Sequence, residues 1–469
     1  MLFNDYKNAN DSSLVINALN EAKESQESLN AVVTFVDPEK QLNNVCDGKL
    51  KNVPIFLKDN VNTKGIKTTA SSKILENYIP IYDATITEKL KDAGAIILGK
   101  SSMDELAMGG TNTTALTGPV YNPYDKSRMA GGSSGGSCAL VAEGIVPMAI
   151  GSDTGDSIRK PAAYCGVVGV KPTYGRISRY GIIPYASSLD HVGYFTRSIE
   201  DACTSLEVLQ GRDDRDMTSS YRVGENYLEK LNSDVKGKKI LLFKNVTDAI
   251  TTKETMDYFN KIVEELKNRG AIVEEVIFDE DLMRALLPSY YIIANCEATA
   301  NHSNLDGIRF GNRVEGADMS ETMIKTRTEG FGPLIRKRFV IGSYGLFEEN
   351  QERLLKQAQR IRRLVVEALN EKLKDADALL APGSGDIAPL IKNHGRDELA
   401  DEYLIAENYM AIANFSGFPS MTLPMGFKDG LPLGINITCN AWDEMGMFNI
   451  GKAIEEITGY KDLCHKEVK

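Results

Sequence analysis

The chain has 469 residues, 42% hydrophobic and 25% charged, with a formal net charge of -11, a make-up that suits a globular protein with a large core. That acidity argues against unaided binding to a nucleic-acid backbone, which needs a basic face, but it allows a partner protein that holds the nucleic acid. No apolar run reaches the roughly 20 residues of a membrane span, and the N-terminus MLFNDYKNANDSS carries neither a basic nor an apolar leader region, so a cytoplasmic location is expected.

In chain order, residues 1–50 read as an N-terminal helical layer. Leu14, Ile16, Leu19 and Ala22 share one helical face, and 29–36 turns apolar and β-branched. From residue 53 the pattern becomes α/β: VPIFL at 53–57 reads as a strand, DATITEKLKDAG at 83–94 as a helix stopped by Gly94, and AIILGK at 95–100 as the next strand. The charged turn GRDDRDMTSS at 211–220 marks an insertion boundary. Beyond it, KKILLFKNV (238–246), TKETMDYFNKIVEELKNRG (252–270) and AIVEEVIF (271–278) repeat strand, amphipathic helix and strand. A long helix is predicted over 345–375 and a strand at ALLAP, 378–382. Helices alternating with strands predict one α/β domain over 51–469, with a large mixed, mostly parallel sheet sandwiched between helices. The βαβ-containing stretch at about 211–390 is inserted within it. Seven cysteines without a CxxC pair suggest neither a disulfide framework nor a zinc site.

The stretch GGSSGGS at 131–137 stands directly before the apolar run CALVAEGIVPMAI. It is too short and too tightly bounded for a flexible linker, and it lacks both the Gly-Lys-Ser/Thr ending of a P-loop and the GxGxxG spacing of a dinucleotide site. A nucleophile site remains. GGSSG fits the GxSxG elbow with Ser133 as nucleophile, but that mechanism needs a histidine, and none of His191, His302, His394 and His465 sits in a context that singles it out. SIRK at 157–160 fits SxxK, yet the companion SDN and KTG elements are absent. Ser157 follows Ser133 by an apolar helix and a return strand; a helix of about 13 residues spans some 20 Å and a strand covers a similar length, so the two Gly-rich turns can meet. The base must then be something other than histidine. Lys58, directly after the strand-like VPIFL, either snorkels to water or, if buried, loses its charge and serves as a base near neutral pH.

KDN at 58–60, GGSSGGS at 131–137 and GSDTGDSIRKPAAYCGVVGVKPTYGRIS from 151 closely resemble the amidase signature family. The similarity continues through RYGIIPYASSLDHVG and, more weakly, through ANFSGFPSMTLPMGF and DGLPLGINI, so it covers most of the chain after about residue 50. It implies the amidase-signature fold and a triad in which Ser157 is the nucleophile, Ser133 a bridging serine on a cis peptide bond and Lys58 the base. The main-chain amides of Thr154, Gly155, Asp156 and Ser157 would form the oxyanion hole. Within the family, SSMDELAMGGTNTT and DGLPLGINI resemble the branch that hydrolyses glutamine inside tRNA-dependent amidotransferases. That branch implies glutamine as substrate and partner subunits B and C in a heterotrimer, with tRNA contacted mainly through the partner. It implies no cofactor in this chain, ATP and magnesium being used by the partner. Arg338 in LIRKRFVIG would hold the α-carboxylate of glutamine, although RKR also reads as a solvated basic patch, and Glu407 would hold the α-amine.

One position departs from the pattern. The family usually reads DTGGS, whereas this chain reads DTGDS, with Asp156 directly before Ser157. A carboxylate turned inward would oppose a developing oxyanion, and one turned outward would be harmless. Two rival readings therefore stand beside the glutaminase: a free-standing amidase acting on another carboxamide, and a scaffold subunit impaired by Asp156.

Overall fold

The apolar stretches read as strands all fall within one 11-stranded sheet, which also contains strands the pattern does not predict, in the computed structural model of the chain, which describes residues 1–9, 11–392 and 402–467. The strands are β1 (Val32–Phe35), β2 (Pro54–Lys58), β3 (Ile96–Ser101), β4 (Met148–Asp153), β5 (Val168–Lys171), β6 (His191–Thr196), β7 (Lys239–Phe243), β8 (Ile272–Val276), β9 (Ala378–Pro382), β10 (Ser420–Lys428) and β11 (Leu431–Cys439). Their order across the sheet is β1-β3-β2-β4-β6-β5-β10-β11-β9-β7-β8.

The sheet is mixed, as expected, but it is not mostly parallel. Only the pairs β2–β3, β2–β4, β7–β8 and β7–β9 are parallel. The six other pairs, which include the whole centre of the sheet, are antiparallel. One physical reason can be read in the chain itself: β10 and β11 are joined by only Asp429 and Gly430, both at positive φ (52° and 76°). A two-residue Asp-Gly turn of this kind forms a hairpin, which can only be antiparallel. The helix-strand alternation at the two ends had masked this centre.

Alternate residues of the strands face opposite helical layers. Ile55 and Leu57 of β2, Met148 and Ile150 of β4 and Ile240 of β7 enter one core cluster. Phe56 and Ala149 enter a second cluster near the N-terminal helices, and Leu241 and Phe243 a third. The strands of the 211–390 stretch extend the same sheet, β9 pairing with both β7 and β11. The first fifty residues supply helices, among them Ser13–Glu24, and also the edge strand β1, which pairs antiparallel with β3. The helix expected at 345–375 runs from Glu348 to Leu373 with a π-helical turn at Glu352–Lys356. Among the described residues, no helix is long and apolar enough to cross a membrane.

Candidate active site

β2 and β4 are parallel neighbours, so their C-terminal ends open on the same edge of the sheet, where open α/β sheets place ligands. Lys58 is the last residue of β2 and Asp153 the last of β4. GGSSGGS leads into the wholly buried helix Gly135–Ala142, which packs on both strands. The glycines are required by closeness: a Cβ on Gly132 would lie 2.1 Å from Asp104 Oδ2, and one on Gly136 would lie 2.5 Å from the Ser102 carbonyl oxygen. The Gly132–Ser133 peptide bond is cis.

Lys58 does not snorkel. Its side chain is fully buried, and Nζ donates to Ser133 Oγ and Ser134 Oγ at 2.8 Å, to Ser152 Oγ at 2.9 Å and to the Ser152 carbonyl at 3.3 Å. These partners are neutral. Burial therefore lowers the Lys58 pKa to about 7, against the more distant charges of Asp104, Asp153 and Asp190, which favour the ammonium form.

Ser157 follows β4 on the turn 154–158, and its carbonyl accepts the Ser134 amide at 3.2 Å, so the two Gly-rich turns are joined main chain to main chain. A buried ion pair fixes that turn. Arg159 Nε and Nη2 donate to the two Asp153 oxygens at 3.0 and 2.9 Å, and Nη2 also donates to the Gly155 carbonyl at 2.8 Å. Asn414 Nδ2 donates to Asp153 Oδ1 at 2.9 Å, and the Ile158 amide to Oδ2 at 3.0 Å. Burial alone would raise the Asp153 carboxyl, but the Arg159 guanidinium holds it well below the usual carboxylate range. Thr154 is tied by its hydroxyl to Asp190 Oδ1 at 2.7 Å. Among the described residues, the main-chain amides of Thr154, Gly155, Asp156 and Ser157 find no acceptor.

Beside this turn lies a cavity of about 420 Å³, lined among others by Asp156, Lys160, Tyr290, Arg338, Glu407 and Asn408. In the RKR stretch, Arg336 and Lys337 are exposed, whereas Arg338 is half-buried in the cavity wall. Its Nη1 donates to Tyr185 Oη at 2.5 Å, and its guanidinium lies 5.3 Å from the Tyr291 ring centroid. Glu407 Oε1 accepts the Gly385 amide at 2.9 Å, and Oε2 accepts Lys160 Nζ and Tyr164 Oη, each at 3.1 Å. Asp156 is half-buried and faces the cavity. Burial raises its carboxyl to about 7, helped by the Asp153 and Glu407 charges and opposed by Lys160 and Arg159.

Sequence reasoning missed the groups that hold the triad candidates in place. Ser134 and Ser152 stood inside the motifs, but nothing in the sequence set their hydroxyls apart from their neighbours'. Asn414 stands in the ANFSGFP stretch, but it lies 261 residues from Asp153 and its spacing gives no sign of that contact. Among the described residues the GxSxG reading finds no histidine: His191 Nδ1 donates to the Leu189 carbonyl at 2.7 Å, His465 lies 3.0 Å from Glu143, and His302 is buried elsewhere. None of these bonds Ser133 or Ser157, and His394 lies outside the described residues. Among the described residues no group of three or more His, Cys, Asp or Glu side chains is placed to hold a metal ion.

A family model described as Amidase matches residues 13–447. The chain belongs to the amidase signature family. The A subunit of the glutamyl-tRNA(Gln) amidotransferase of Sulfurihydrogenibium sp. is 40% identical to this amidase-family chain over 421 residues, which cover 90% of this chain and 86% of that one. Among solved structures, the A subunit of the glutamyl-tRNA(Gln) amidotransferase of Thermotoga maritima superposes with a TM-score of 0.80 at 34% identity, covering 95% of this chain and 91% of the other. The peptide amidase of Stenotrophomonas maltophilia superposes with a TM-score of 0.81 at 28% identity, covering 96% and 93%. This family member thus shares its fold with amidases of different substrates, and its own substrate must be argued from the cavity.

Proposed function

We propose that this chain is the glutaminase subunit of a tRNA-dependent amidotransferase, hydrolysing glutamine to glutamate and ammonia for the conversion of Glu-tRNA(Gln) to Gln-tRNA(Gln). The observation that carries the chemistry is the buried Lys58 Nζ, 2.8 Å from Ser133 Oγ and hydrogen-bonded to neutral groups alone. Neutral Lys58 accepts the Ser133 proton while Ser133 accepts that of Ser157, and Ser157 Oγ attacks the carboxamide carbon. The amides of Thr154, Gly155, Asp156 and Ser157 stabilise the oxyanion, where one such donor typically contributes about 3 to 4 kcal/mol. Collapse expels ammonia with the proton returned through Ser133, and water then releases glutamate from the acyl-enzyme.

The choice of glutamine rests on the cavity and on kinship. Arg338 offers a planar fork suited to an α-carboxylate, and the acidic side that contains Glu407 suits an α-ammonium group. The 40% identity to an amidotransferase A subunit over nine-tenths of the chain supports the amidotransferase assignment. Subunits B and C complete the proposed heterotrimer in the cytoplasm. The partner contacts tRNA and uses ATP and magnesium, in keeping with the net charge of -11 of this chain.

The test is ammonia release from glutamine by the purified chain alone and with co-expressed partner subunits. Marked stimulation in the complex is expected. Equally brisk turnover without partners would favour a free-standing amidase, and no turnover in either state would favour the impaired scaffold.

A further inference from the structure

Two carboxylates face the cavity beside the Ser157 turn, and they differ in how they are satisfied. Glu407 has both oxygens engaged, by the Gly385 amide, Lys160 Nζ and Tyr164 Oη. The Asp156 carboxyl accepts no hydrogen bond among the described residues, although it is half-buried. The cations near it are already directed elsewhere: Lys160 Nζ at Glu407, 3.1 Å away, and Arg159 at Asp153, at 2.9 and 3.0 Å. A half-buried carboxylate without a protein partner is only partly hydrated, and here it opens onto the cavity that also holds Arg338.

We infer that Asp156 receives the α-ammonium group of the substrate, while Glu407 is a positioning residue that draws Lys160 away from it. The inference rests on the glutaminase reading and moves the ammonium contact from Glu407 to the residue directly before the nucleophile. It also resolves the conflict that Asp156 poses for catalysis. An amide substrate without an α-amine leaves the Asp156 carboxylate, wherever it is ionised, uncompensated beside the developing oxyanion; a substrate with one brings the ammonium that cancels it. Asp156 thereby selects free amino-acid amides in the turnover step as well as in binding.

The experiment compares ammonia release from glutamine and from glutaramate, the same amide without the α-amine, by the full chain with its partner subunits. Wild type, Asp156→Gly and Asp156→Asn are assayed, with melting curves to verify folding. Wild type should favour glutamine in kcat/KM by about 10- to 100-fold, the usual weight of a charged hydrogen bond. Both variants should lose most of that preference, and glutaramate turnover should rise in Asp156→Gly, a gain that a merely structural role would not produce. The wild-type ratio is informative even if a variant does not fold. Equal handling of the two amides by wild type, or an unchanged preference in a folded variant, overturns the ammonium contact and leaves the glutaminase reading intact. Ammonia from neither amide overturns both.

Discussion

Lys58 Nζ lies 2.8 Å from Ser133 Oγ, and its remaining partners are the Ser134 and Ser152 hydroxyls and the Ser152 carbonyl. No counter-charge is in direct contact, so burial decides its protonation and lowers the pKa from 10.5 to about 7. Only the neutral form can accept the Ser133 proton. The rate kcat/KM should therefore rise with pH up to about 7 and level off above it. Asp156 is itself pushed to about 7, so the same limb must persist in Asp156→Gly. A flat profile in that variant would remove Lys58 as the base. The shift also affects stability: the folded chain binds fewer protons than the unfolded one between pH 7 and 10.5, so the cost of burying Lys58 is full below that window and fades as pH rises through it.

Ser152 provides a second handle on the same nitrogen. Its hydroxyl accepts from Lys58 at 2.9 Å and from Asn60 Nδ2 at 3.2 Å, which favours the charged form of the lysine. Ser152→Ala should move the acid limb of the rate profile to lower pH and reduce kcat by about tenfold through lost positioning. A shift to higher pH would mean that the hydroxyl acts chiefly as a donor.

Covalent trapping separates the two serines. Acid quenching during turnover of labelled glutamine should leave label on Ser157 in the wild type and none in Ser157→Ala. Label on Ser133 would reverse the assigned roles.

The Arg159–Asp153 pair is completely buried, so removing one partner strands the other charge. Arg159→Met should lower unfolding free energy by about 3 to 5 kcal/mol in urea titrations at neutral pH. Because the Asp153 pKa is depressed, its contribution is complete above about pH 4 and is lost as pH falls further. Stability within about 1 kcal/mol of wild type would show that the turn is held by other contacts.

How much of this was legible in the sequence follows from how local each cause is. Lys58 stands out as a candidate because an apolar strand ends on a cation, and Ser133 and Ser157 because two Gly-rich turns bracket one helix and one strand, but their triad roles come from the resemblance to the amidase signature family. The centre of the sheet is antiparallel where the alternation predicts parallel strands, although the Asp429-Gly430 turn is a local signal for it. Other features were not encoded locally. Arg336, Lys337 and Arg338 point in three directions on the helix Pro333–Leu346, so adjacency could not say which one enters the cavity. The inward turn of Asp156 depends on the Arg159–Asp153 clamp and on Asn414, a residue remote in the chain. Sequence spacing could not reveal that packing.

The central claim is that a lysine, supplied by β2 and relayed through Ser133, drives amide hydrolysis. Ammonia release from glutamine by wild type and Lys58→Ala, each in complex with its partners and each shown to be folded, tests it most directly. The expected loss in kcat is about 10²- to 10⁴-fold, the usual contribution of a general base. A Lys58→Ala enzyme that keeps wild-type turnover would contradict the claim.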